Sequence, residues 1–96
     1  MRAEYETQTD SIAIELTSGG RADHGDDSVP GAVVHLRGGR PVAIDLIGVR
    51  SGVDAALVAV SAAHGLDRES LLAAARAALA APDRVVELDV HARALA

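Results

Sequence analysis

Between Ser11 and Leu16 apolar and polar positions alternate strictly, with Ile12, Ile14 and Leu16 on one side and Ala13 and Glu15 on the other. That is the pattern of a strand with one buried face. Arg2 to Glu6, centred on Tyr5, precedes it, and the polar link Thr7-Gln8-Thr9-Asp10 predicts a hairpin between the two. From Thr17 to Pro30 the chain carries Gly19, Gly20, Asp23, Gly25, Asp26, Asp27, Ser28 and Pro30 with almost no apolar side chain, which reads as a mobile surface loop. Ala32–Leu36 and Val42–Ile47 are the next strands, joined through Arg37-Gly38-Gly39-Arg40-Pro41. Placing Ala32, Val34 and Leu36 on one face with Val42, Ile44 and Leu46 requires opposed residue numbers to sum to an even value. A three-residue turn with a left-handed glycine is therefore expected in place of Gly38-Gly39 alone. Val33, His35, Ala43, Asp45 and Ile47 then share the other face.

Past Gly52 the period changes from two to 3.6. Val53, Leu57 and Val60, with Ala56 and Ala63 beside them, form a helical stripe; Asp54 lies in the first turn and Gly65 follows the last. Only Ser61 is polar between Ala55 and Ala63, so this helix is apolar on nearly every side and should be covered on more than one of them. A second helix starts at Asp67, runs through Leu79 and must end before Pro82. Alternation returns from Arg84 to His91, with Val86, Leu88 and Val90 facing in, and Ala92–Ala96 forms a tail. The order β-β-β-β-α-α-β predicts one α+β domain over residues 1–96: a mainly antiparallel sheet of four to five strands with two helices packed on one face.

Composition narrows the role. The 96 residues are 49% hydrophobic and 24% charged, a composition that folds. Fourteen acids oppose nine arginines, Tyr5 is the sole aromatic residue, and the net charge is -5. Nucleic acid, which wants basic surface and stacking platforms, is not an expected partner. The longest uncharged run, Ala55–Leu66, is too short to span a bilayer, and Met1–Glu6 lacks the apolar core of a signal peptide, so a cytoplasmic protein is expected. Without cysteine there is no disulfide or thiolate metal site, and no cofactor is expected.

Tyr5-Glu6-Thr7-Gln8-Thr9-Asp10-Ser11-Ile12-Ala13-Ile14-Glu15-Leu16, then Gly31-Ala32-Val33-Val34 and Gly39-Arg40-Pro41-Val42-Ala43-Ile44-Asp45-Leu46-Ile47, resembles the DUF2283 (YuzE-like) family of small bacterial proteins. Tyr5, Asp10, Ile14, Leu16, Gly39, Ile44 and Asp45 occupy the matching positions, over residues 2–51. Ala13 and Glu15 depart from the tyrosine and the basic residue common there, the hairpin turn is one residue shorter, and the helices and last strand lie outside the motif. The resemblance implies a small β-rich domain with no recognised catalytic set, and a partner-binding role.

Candidate chemistry is sparse. Glu15, His35 and Asp45 share one expected sheet face, where two carboxylates beside an imidazole could bind a small ligand, serve as a general base or form a weak metal site. The bland reading is an ordinary polar sheet face. Asp23-His24-Gly25-Asp26-Asp27 lacks the spacing of a calcium loop, and Ser18-Gly19-Gly20 does not lead into a helix as a phosphate loop does. Arg37 and Arg40 bracket the glycine turn and could hold an anion, His64 suits the negative end of its helix, and His91 ends a strand. With 20 alanines, no Phe or Trp and one Met, a lean core, two open sheet edges and an all-round apolar helix favour association. The expected function is a non-enzymatic, oligomerising or partner-binding module: a homodimer or higher oligomer in which that helix, through Val53, Leu57 and Val60, or an edge strand is covered by a second copy. The alternative is a small-ligand or anion-binding protein, or a weak enzyme, using the face around His35.

Overall fold

The computed structural model describes residues 1–17 and 21–89. Six strands, β1 (Arg2–Glu6), β2 (Ser11–Glu15), β3 (His24–Asp26), β4 (Ala32–Arg37), β5 (Arg40–Ile47) and β6 (Val85–Glu87), form one sheet in the order β3-β4-β5-β2-β1-β6. Every pairing is antiparallel. A single 3-10 turn, Val49–Ser51, leads into α1 (Asp54–His64) and α2 (Arg68–Ala80). The α+β class is as the sequence predicts, with six strands in place of four to five. The extra strand, β3, lies inside the segment read as a loop. It pairs His24 with Leu36 and Asp26 with Val34, held by backbone bonds with no apolar side chain to announce it. The last strand is shorter than Arg84–His91: it covers Val85–Glu87, and Val90, His91 and the expected tail lie outside the described residues.

The β4–β5 hairpin satisfies both constraints that the sequence set against each other. Arg37 faces Arg40 across a two-residue Gly38-Gly39 turn, with φ of 57° and 79°, the doubly left-handed conformation that glycine adopts without penalty. That turn alone would throw the sheet out of phase. Between His35 and Leu36 the register shifts, leaving Val42 as one extra residue on β5, so that Val34 meets Ile44 and Ala32 meets Leu46. The expected three-residue turn is thus replaced by a two-residue turn and a bulge, while the predicted faces are kept. Pro41, which has no amide hydrogen, stands beside the bulge.

Ile12, Ile14, Val34, Ile44 and Leu46 are buried on the inner face, beneath Leu57 and Val60 of α1 and Leu71, Ala74, Ala75 and Ala78 of α2. α1 lies over β4, and α2 lies over β1, β2 and β6. Alanines at 74, 75 and 78 let α2 sit close to the sheet, and they are fully buried. Gly65 ends α1 with φ 65°, and its amide and that of Leu66 both reach the Ser61 carbonyl while the Leu66 side chain turns back into the core. Asp67 stands at the N-cap of α2 as expected, its carboxylate taken by the Ser70 hydroxyl.

The structure corrects one assignment. Val53, Leu57 and Val60, expected at an interface between copies, are 8%, 0% and 0% exposed within a single subunit. They are this chain's own core, out of reach of a second copy. What α1 leaves outside is the opposite stripe, Ala55, Val58, Ala59, Ala62 and Ala63, with Val58 40% exposed. Val60→Asp should therefore cost roughly 3–5 kcal/mol, the scale of an uncompensated buried charge. It should abolish the cooperative thermal transition seen by circular dichroism, whereas Val58→Asp, one turn-face away, should keep it.

Candidate functional site

Helices cover one face of the sheet, and none of the described residues covers the other. Register assigns its rows. Val33, Asp45, Ala13, Glu4 and Val85 stand in one line across β4-β5-β2-β1-β6, and Gly25, His35, Ala43, Glu15, Arg2 and Glu87 in the next. Ile47 and Val85 are the large apolar side chains most exposed on it, at 57% and 50%.

Of the three candidate site residues, the structure brings two together. His35 Nε2 lies 2.7 Å from Asp45 Oδ2, a diagonal cross-strand contact in which the ring N–H donates to the carboxylate and leaves Nδ1 as the basic position. Glu15 does not join them. Ala43 stands between it and His35 in the register, and Glu15 faces Arg2 on the far side. The imidazole is flanked in its row by Gly25 and Ala43, so no nucleophile stands beside it. No group of three or more His, Asp or Glu among the described residues could hold a metal ion. A shallow depression of about 170 Å³ does open on this face, one step away, lined by Arg2, Ala3, Glu4, Ala13, Glu15 and Val85. Sequence reasoning paired Glu15 with the histidine and missed Glu4, Ala13 and Val85. Their juxtaposition depends on β6 joining the β1 edge, which no local pattern announces.

Arg37 and Arg40 oppose each other across the hairpin tip, exposed and without an ion-pair partner among the described residues. His64 sits in the last turn of α1, but its role is more specific than a dipole contact. Its Nε2–H donates to Asp26 Oδ2 at 3.0 Å, tying the edge strand β3 to the helix layer. The Ser28 amide, donating to Oδ1 at 3.0 Å, is the main cause that holds the Asp26 carboxyl below its ordinary range, with the His64 contact acting in the same direction.

Two other polar groups act as fasteners. Asp10, at φ 51°, takes the Tyr5 hydroxyl at 2.9 Å and the Arg50 amide at 3.1 Å, and its carbonyl takes the Val49 amide. It thereby fixes the β1–β2 turn to the segment leaving β5. Donation to the Asp10 carboxylate, more than its burial, raises the Tyr5 phenol above its usual value and keeps it a donor. Asp83, at φ 60°, accepts from the Thr7 amide at 3.0 Å and the Thr7 hydroxyl at 2.8 Å, while its own amide donates to the Tyr5 carbonyl. The Thr7 amide is the principal reason its carboxyl is depressed. These contacts hold the chain in place.

Comparison of the chain with protein-family models, with curated proteins and with solved structures gives no match. The reading of function therefore rests on the geometry.

Because the folded-state carboxyls of Asp26 and Asp83 titrate below their ordinary value, the stability they add is present above about pH 4 and is lost as pH falls through their folded values. Urea midpoints should accordingly fall as the pH is lowered from about 5, and Asp83→Asn should lower the midpoint at neutral pH while flattening that acid slope. An unchanged slope in the variant would remove Asp83 from the account.

Proposed function

We propose that the protein is a small, non-enzymatic cytoplasmic module that works by associating with another polypeptide, in the first instance a second copy of itself through the outward face of α1. One observation carries this reading: with its inner stripe consumed by the core, α1 still presents Ala55, Val58, Ala59, Ala62 and Ala63 to solvent without a charge between Asp54 and His64. An isolated surface helix would carry charged residues on that side. Small side chains allow a close helix-on-helix approach. A two-fold, antiparallel placement sets the start of one α1, with Asp54, against the far end of the other, where the helix dipoles are complementary. The DUF2283-like residues fit the same reading as fold determinants: Tyr5 and Asp10 are spent on each other, and Asp45 on His35.

The alternative, a small-ligand site or weak enzyme at His35, is favoured by the 2.7 Å His35–Asp45 contact, which orients an imidazole as a general base requires. A metabolite screen by thermal shift separates the two: a ligand whose stabilisation vanishes in His35→Ala would favour this reading.

Sedimentation equilibrium tests the association directly. Across roughly 1–200 µM the chain should approach twice its 9.8 kDa mass. Val58→Asp should return it to the monomer with its fold intact. A monomer throughout the range would defeat the proposal.

A further inference from the structure

The outer sheet face, on the opposite side of the molecule from α1, has a chemistry of its own. Glu4 and Glu15 are diagonal neighbours across the β1–β2 pair, where Glu4 faces Ala13 and Glu15 faces Arg2. Neither carboxylate makes a hydrogen bond or ion pair with a described residue. Arg2, the cation best placed to neutralise Glu15, is directed at Glu87 instead, 3.5 Å away. Two like charges therefore stand side by side with no cation in ion-pair contact, at a depression of about 170 Å³ that Ala3, Ala13 and Val85 also line and that Arg2, turned toward Glu87, borders. Ala13 and Val85 suit an alkyl stem, and the two carboxylates suit a cationic head.

We infer that this face is a docking surface for a basic polypeptide segment, which lays a lysine or arginine stem over Ala13 and Val85 and places its charged head between Glu4 and Glu15. The charge of the face selects the occupant. A second copy set face to face would bring the same carboxylates against each other, and anionic lipid or nucleic acid would meet the same repulsion. A basic side chain relieves the Glu4–Glu15 repulsion and covers half-exposed Val85 in one step, since long cationic side chains pack their stems on apolar surface while the head stays polar.

The experiment is an NMR titration of the full chain with three probe peptides: acetyl-Lys-Leu-Lys-Leu-Lys-amide, the same peptide with serine for leucine, and the same with glutamate for lysine. The Lys-Leu peptide should shift the signals of Ala13, Glu15 and Val85 saturably. The serine peptide should bind more weakly and the glutamate peptide not at all. Glu4→Gln/Glu15→Gln, isosteric changes at surface positions, should weaken binding at least tenfold while leaving the signals of α1 and α2 unmoved. Shifts that do not saturate, shifts centred on the helices, or equal binding by the double variant would overturn the inference. So would concentration-dependent shifts of Ala13 and Val85 without peptide, which would mean that a second copy occupies this face. Because sedimentation reports on the α1 face, a dimer that ignores these peptides would defeat the docking surface alone.

Discussion

Parity of cross-strand register is the constraint on which the rest of the molecule depends. A strand shifted by one residue sends its whole apolar set to the wrong face. Here the inner residues of β4, β5 and β2, Val34, Ile44 and Ile14, lie in one line, with Ala32, Leu46 and Ile12 in the next. A two-residue Gly-Gly turn favours strand twist but imposes odd parity; the apolar pattern demands even parity. The bulge at Val42 reconciles the two, and it occurs next to Pro41, where a ladder hydrogen bond is already missing. The defect is thus placed where it disturbs the pairing least, and the core beyond it stays in phase.

Fixing parity also fixes what the outer face becomes. Once the long aliphatic side chains of β2, β4 and β5, other than Val33, Ile47 and the bulge residue Val42, point inward, the outer rows receive what remains: Ala13, Ala43, His35, Asp45, Glu15 and their neighbours on β1. The polar fasteners work at the ends of the sheet instead. Asp10 and Asp83 both adopt left-handed backbone conformations, unusual for residues with a side chain, and each is held there by side-chain and backbone contacts from elsewhere in the sequence. Both converge on the β1–β2 turn, so the hairpin is clamped from the β5 side and from the β6 side. Carboxylates used in this way are occupied by structure.

Legibility in the sequence followed the apolar side chains. Where alternation or helical spacing was carried by Ile, Leu and Val, as in β2, β4, β5, α1 and α2, element type and inner face could be read directly. β3 escaped because His24-Gly25-Asp26 contributes backbone hydrogen bonds and one side-chain contact to His64, none of which leaves an apolar pattern. At the candidate site the diagonal His35–Asp45 contact was within reach, since register alone places the two on adjacent strands of one face. Glu15 was misplaced because sharing a face is a weaker condition than sharing a neighbourhood, and strand order decides the difference. The same reasoning explains Val53, Leu57 and Val60: a helix apolar all round does not say which side meets its own sheet, and that depends on how the chain returns from β5.

The two faces left over differ in kind, and that difference argues for separate uses. The outward side of α1 is uncharged along its length, so self-pairing there meets no electrostatic penalty and gains dipole complementarity when antiparallel. The sheet's outer face is small, with Ala13 and Ala43 at its centre and Glu4 and Glu15 beside Arg2, so the basic segment proposed for it would meet complementary carboxylates there. The core is a single layer of small aliphatic side chains, with Ile, Leu and Val concentrated where helices cover the sheet. Alanine and glutamate then fall to the surfaces that remain, which is why the outward side of α1 is uncharged while the sheet's outer face carries carboxylates.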